Sequence, residues 1–143
     1  MRLFAPGLLI LLTLFSCQKT ETKSPLPNIS FTGMTPGTVQ SGKPDVTISF
    51  TFEDGDADVD SIFVFDSRDT DRNRQYYPWP NMESVRDPAK GLTGAVNLTI
   101  RGQFLIVDTP SVQRDSVRFE VFVKDRKNNE SNHFTTDYVE LLP

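Results

Sequence analysis

The sequence predicts an all-β protein, a single β-sandwich of about seven strands. Three observations carry this. Apolar and polar residues alternate strictly in several short segments, the two-residue period of a half-buried strand. Pro and Gly fall mostly between those segments, where the chain must turn. No stretch of useful length repeats apolar residues at the helical period of about 3.6. The segment Asn81–Lys90 offers one helical turn at most, closed by Pro88.

The strands follow in order. Ile29 and Phe31 mark a weak first strand. In "DVTISFTFE", Val46, Ile48, Phe50 and Phe52 share one face and Thr47, Ser49 and Thr51 the other, giving a strand over Val46–Glu53. "SIFVFD", Ser61–Asp66, is continuously apolar, as expected of a more central strand. Val96, Leu98 and Ile100 line one face of the next, and "QFLIVD" is expected to continue it past a bulge or tight turn at Gly102. Val117, Phe119, Val121 and Val123 point inward while Arg118, Glu120 and Lys124 point outward. "HFTTDYVELL" supplies the last strand.

The N-terminus reads differently. Arg2 is followed by an apolar run over Leu8–Phe15, too short for the roughly 20 residues that span a bilayer. Leu14-Phe15-Ser16-Cys17 resembles a bacterial lipobox, with an aliphatic residue at −3, a small one at −1 and then cysteine. Phe15 is bulkier than that pattern usually has. The resemblance implies a signal peptide over 1–16 and a lipidated Cys17, whose acyl (palmitate-type) chains each add about 0.8 kcal/mol per buried CH₂ of membrane anchoring. The plainer alternative is a cysteine at the end of a cleaved secretory peptide. Cys17 is the chain's single cysteine, so no internal disulfide exists. Residues 17–28 are polar and end in two prolines, and read as a tether. Residues 29–143 form the domain, a length that suits one core. Gln18-Lys19-Thr20-Glu21 resembles the signal that sends some Gram-negative lipoproteins to the outer face of the outer membrane, with Thr20 interrupting the acidic pair. The expected location is the outer membrane, on its periplasmic or its cell-surface side.

The formal net charge is −4 and no basic cluster is present, which argues against a nucleic-acid partner. The segment "DSVRFEVFVKDRKNNESNHFTTDYVEL" resembles the last two strands of fibronectin type III and related immunoglobulin-like domains. Asp125, Asn129, Ser131, Asn132 and Thr135 occupy comparable places, and Asn128 stands where that pattern often has Gly. Asn tolerates the left-handed conformation, so the turn survives. The resemblance implies an immunoglobulin-like sandwich. The cysteine-tryptophan-cysteine hallmark of true immunoglobulin domains is absent.

Between two apolar runs lie Asp54, Asp56, Asp58 and Asp60. In one strand they would crowd like charges on a single face, which destabilises a sheet. They are therefore expected in a loop, between a strand B ending at Glu53 and a strand C starting at Ser61. In an immunoglobulin-like topology this loop meets the F–G loop, Asp125–Asn132, at one end of the sandwich. Ca²⁺ takes six to eight oxygen ligands, so one reading is a Ca²⁺ site drawn from Glu53, Asp54, Asp56, Asp58 and Asp125. The other is a solvated acidic turn countered by Lys124, Arg126 and Lys127. An EF-hand is excluded: counting from Asp54 puts Val59 where Gly is needed and Phe65 where Glu is needed, and counting from Asp56 puts Ser61 and Ser67 there.

Tyr76, Tyr77 and Trp79 lie beside Arg72 and Arg74. They read either as an aromatic platform for a sugar ring or peptide or, the preferred reading, as residues that cover the core. "DSI" at Asp60–Ile62 and "DSV" at Asp115–Val117 resemble the short signal for bacterial O-glycosylation. His133 is the single histidine, and neither a nucleophile–histidine pattern, a phosphate loop nor a zinc motif is recognisable. The chain is therefore expected not to be an enzyme. The expected function is a membrane-anchored, non-catalytic binding or scaffolding module with a protein or glycan partner in the envelope, stabilised by Ca²⁺ if the first reading of the acidic loop holds. The alternatives are a carbohydrate-binding accessory lipoprotein and a structural subunit of an outer-membrane complex.

Overall fold

A computed structural model describes residues 23–107 and 114–143. The signal-peptide segment, Cys17 and most of the tether lie outside the described residues. Among the described residues ten strands form: β1 (Asn28–Thr35), β2 (Thr38–Gln40), β3 (Val46–Asp54), β4 (Val59–Asp66), β5 (Gln75–Pro78), β6 (Leu92–Ile100), β7 (Asp115–Val117), β8 (Phe119–Asp125), β9 (Phe134–Thr135) and β10 (Val139–Leu142). No helix among the described residues is long and apolar enough to cross a membrane.

One layer is the antiparallel sheet β1-β3-β6. The other runs β5-β4-β8-β9 and continues as β7-β10-β2. It continues because β7 and β8 are one strand broken at Arg118, and β9 and β10 one strand broken between Thr135 and Val139. β2 joins β10 in parallel, Val39 opposite Leu141. This is the strand order of an immunoglobulin-like sandwich in which the edge strand β5 pairs with β4 rather than with β6. With each broken pair counted once, the strands come close to the number expected from the sequence.

The alternation places the core. Val46, Ile48, Phe50 and Phe52 all face inward from β3. They pack against Ile62 and Val64 of β4 and Val121 and Val123 of β8. β3 is central in its sheet, paired with β1 over Asn28–Thr35 and with β6 over Leu92–Ile100. Asn128 has φ of +65°, so the F–G turn adopts the left-handed residue expected there.

Two expectations fail locally. "QFLIVD" does not continue as a strand: Gly102–Phe104 form a 3₁₀ turn, in which the Leu105 N–H donates to the Gly102 carbonyl at 2.8 Å. The turn drives Leu105 fully into the core and leaves Phe104 and Ile106 exposed. Gly102 permits it, since a Cβ there would lie 1.9 Å from the Lys43 carbonyl oxygen. The second departure concerns the acidic segment, which is shorter as a loop than expected. β3 runs on through Asp54 and β4 begins at Val59, so Asp60 belongs to a strand. Asn81–Lys90 holds the single expected turn, at Glu83–Val85.

Phe50 is fully buried at the centre of this core. Phe50→Ala is expected to lower unfolding free energy by about 3–5 kcal/mol in denaturant titration.

Candidate functional site

The turn from β3 to β4 carries the chain from one sheet to the other in four residues, Gly55–Asp58. Asp54 ends β3 with its side chain fully buried. Its Oδ2 accepts the backbone N–H groups of Asp58 at 2.7 Å and Val59 at 3.0 Å. The carboxylate thus closes the turn and starts β4. One carboxylate oxygen from each of Asp54, Asp56 and Asp58 lies within 4.8 Å of the other two.

The F–G turn meets this loop. The Arg126 N–H donates to the Asp58 carbonyl at 3.0 Å. The Lys127 ammonium donates to Asp56 Oδ2 and lies 3.3 Å from Asp58 Oδ2. Of the two sequence readings, counter-charge by Lys127 is present in the geometry. Lys124 is turned away, to Glu130 at 3.4 Å, and Arg126 to Glu83.

The electrostatics are lopsided. Burial, reinforced by the neighbouring Asp56 carboxylate, pushes the Asp54 carboxyl up to about 6. Burial and Asp56 also raise Asp58, while the Lys127 hydrogen bond holds Asp56 below the usual carboxylate range. Among the described residues, Oδ1 of Asp54, of Asp56 and of Asp58 each lacks a hydrogen-bond partner.

Two members of the expected ligand set stand elsewhere. Glu53 alternates to the exposed face of β3, where it pairs with Lys23 at 3.6 Å. Asp125 is buried and organises its own turn. Its Oδ1 accepts the N–H groups of Lys127 at 2.9 Å and Asn129 at 2.7 Å, and its Oδ2 the Asn129 side-chain amide at 2.7 Å. The cluster is therefore Asp54, Asp56 and Asp58.

The aromatic trio does not form one platform. Trp79 is 8% exposed and packs edge-on against Phe52, with ring centroids 4.8 Å apart. Tyr77 is half-buried on the inner side of β5, lining an edge cleft of about 460 Å³ with Ile62, Val96 and Leu98. Tyr76 alternates outward and is 59% exposed. Core packing therefore holds for Trp79 and Tyr77. Ser61, in the "DSI" motif, is buried in β4.

Another aromatic arrangement escaped the sequence reading. On the outer face of the β5-β4-β8-β9 sheet, Tyr76, Phe63, Phe122 and His133 make a row across the strands. Centroid separations along it are 5.8, 5.0 and 4.5 Å. Arg72 covers Phe65 at 4.8 Å and the Lys124 ammonium lies over Phe63 at 5.8 Å. His133 lies nearly parallel to Phe122, its Nδ1 2.7 Å from Glu120 and its Nε2 2.8 Å from Glu130. The available signal was parity: Phe63 and Phe65 of β4 and Phe122 of β8 fall on the positions that alternate with the inward-facing Ile62 and Val64 and the inward-facing Val121 and Val123.

No protein-family model matches the chain, and no curated protein does. Among solved structures it is similar to a Niemann-Pick type C2 protein from the Japanese carpenter ant, at 12% identity and TM-score 0.45 over 83% of this chain and 95% of that one. It is also similar to the PKD domain of an M14-like peptidase from a Thermoplasmatales archaeon, at 18% identity and TM-score 0.40 over 82% and 94%. A third is Spo0M, a sporulation control protein from Bacillus subtilis, at 13% identity and TM-score 0.43 over 82% of this chain and 50% of that one. The fold assignment rests on the strand order itself.

Two outcomes follow from this geometry. Trp79→Ala is expected to cost about 3–5 kcal/mol of stability and Tyr76→Ala less than about 1 kcal/mol, compared by chemical denaturation. His133 gives the second. Burial pulls the imidazole down, but hydrogen bonds to Glu120 and Glu130 outweigh it and raise His133 above its ordinary 6.5. A raised folded pKa stabilises in full below the unfolded value and fades as pH climbs through the folded one. The stability difference between wild type and His133→Asn is therefore expected to be larger at pH 5.5 than at pH 9, with an NMR titration midpoint above 6.5.

Proposed function

We propose that this chain is a lipid-anchored, non-catalytic binding module of the bacterial outer membrane, acylated on Cys17 and presenting the outer face of its β5-β4-β8-β9 sheet to a partner. The observation that carries the binding role is the aromatic row on that face, with Tyr76 more than half exposed at its edge. An exposed ring backed by packed aromatics and flanked by charged side chains is what recognition surfaces use: the ring supplies contact area at low entropic cost, and charges supply selectivity. Arg72, Lys124, Glu120 and Glu130 provide those charges. A non-catalytic role is supported by His133, both of whose ring nitrogens are held by carboxylates. That arrangement favours the imidazolium, which has no lone pair with which to act as a base.

The anchor reading rests on Leu14–Cys17 and the polar stretch after it. The entry of the chain into the fold is consistent with it. The Ser24 carbonyl accepts the Gly55 N–H at 2.9 Å, so the tether arrives at the acidic end of the sandwich. Lys23 stands six residues after Cys17. Six steps of extended chain reach about 20 Å. The acidic loop would therefore face the membrane at short range, while the aromatic face looks sideways along it.

Two measurements test the proposal together. Mass spectrometry of the mature protein is expected to find residues 1–16 removed and acyl chains on Cys17; an unmodified Cys17 rejects the anchor. Glycan arrays and in-cell crosslinking are expected to identify a ligand whose binding falls at least tenfold in Tyr76→Ala, with the melting temperature little changed. Binding insensitive to Tyr76→Ala rejects this face as the contact surface.

A further inference from the structure

We infer that Asp54, Asp56 and Asp58 form a binding site for a divalent hard cation of calcium's size, with Lys127 as the protein's own counter-ion that such a cation displaces. The inference does not depend on the lipid anchor or on the aromatic face.

Geometry is the first support. Ca²⁺ binds oxygens at about 2.3–2.6 Å, so two ligands of one ion lie at most about 5 Å apart. One oxygen from each of the three carboxylates meets that limit, at 4.8 Å or less from the others. All are carboxylate oxygens, without the nitrogen or sulfur that would favour zinc or copper.

The second support is the burial and hydrogen bonding of Asp54 itself. Asp54 is 0% exposed, yet its Oδ1 accepts no hydrogen bond. Its Oδ2 is already occupied by the Asp58 and Val59 N–H groups. A buried carboxylate oxygen left bare carries its whole desolvation cost. Oδ1 of Asp56 and of Asp58 are buried and bare as well. Three acceptors lacking a donor at one end of the sandwich call for a cation rather than a further N–H.

Charge decides its valence. Among the described residues, the Lys127 ammonium is the one in contact with the cluster, which leaves two carboxylate charges unmatched. The Lys127 side chain is 62% exposed on a flexible stem, so it can swing into solvent when an ion arrives. Arg126 is engaged with Glu83, and the Arg86 guanidinium donates to the Val59 carbonyl. Solvent would complete the coordination sphere, which sets the affinity in the range of extracellular modules, with Kd of about 10⁻⁴–10⁻³ M.

The test uses the full mature protein in mild detergent, titrated with CaCl₂ against chelator, with melting temperature and calorimetric heat as readouts. Millimolar Ca²⁺ is expected to raise the melting temperature by roughly 2–6 °C. Asp56→Asn and Asp58→Asn are expected to weaken Ca²⁺ binding at least tenfold. Asp54→Asn keeps an oxygen for the Asp58 and Val59 N–H groups while removing a charge. It is expected to melt above wild type in chelator and to lose the Ca²⁺ response. Lys127→Gln is expected to bind Ca²⁺ several-fold more tightly. Absence of heat and of any melting shift up to about 10 mM Ca²⁺ would overturn the site. A shift that survives both Asp56→Asn and Asp58→Asn would overturn it too, and unchanged affinity in Lys127→Gln would remove Lys127 from the counter-ion role.

Discussion

The sandwich depends on how β3 passes into β4. These two strands belong to different sheets, and only Gly55–Asp58 joins them. The buried Asp54 carboxylate makes so short a crossing possible by taking the N–H groups of Asp58 and Val59, which the turn would otherwise leave unpaired. Everything nearby is fitted to that turn. A Cβ on Gly55 would meet the Ser24 carbonyl at 2.3 Å, and one on Gly91 the Asp54 carbonyl at 2.7 Å. The entering chain and the segment before β6 are thus both packed against the same few atoms.

The same device concentrates charge. A neutral hydrogen-bonding residue could close the turn, but an aspartate brings a carboxylate into a fully buried position. Burial, reinforced by the neighbouring Asp56 carboxylate, pushes its pKa up to about 6 and so works against the ionised form. Asp56 and Asp58 add to this, and Lys127 offsets part of it from the neighbouring turn. That cost sits at the end of the fold where the chain enters, since the Gly55 N–H donates to the Ser24 carbonyl.

The two faces of the β5-β4-β8-β9 sheet differ in composition. Its inner face is aliphatic, with Ile62, Val64, Val121 and Val123 closing on β3. Its outer face is aromatic and charged. Phe122 is only 2% exposed although it points away from the core, because Phe63 and His133 lie against it. That face is thus covered by its own rings and ion pairs, with His133 between Glu120 and Glu130 and Arg72 against Glu120.

Much of this was legible in the sequence, and the reason is local. Alternation along β3, β6 and β8 assigns an inward and an outward face without reference to any other strand, and the left-handed Asn128 was expected from the resemblance that places Gly there together with Asn's tolerance of that conformation. The same logic marked the acidic run as a turn, since four carboxylates cannot share a strand face. It could not say how many residues the turn needs, or that Asp54 would be buried in the strand before it, because that depends on the distance between two sheets. Glu53 and Asp125 fell out of the expected cluster for a related reason. One alternates to the outer face of β3, and the other is consumed by the N–H groups of its own turn. Tyr76, Tyr77 and Trp79 are neighbours in sequence but divide between solvent and core, whereas Tyr76, Phe63, Phe122 and His133 are far apart in sequence and meet in a row. Residue spacing decides which face a side chain takes. Only the pairing of strands decides which side chains stand next to it.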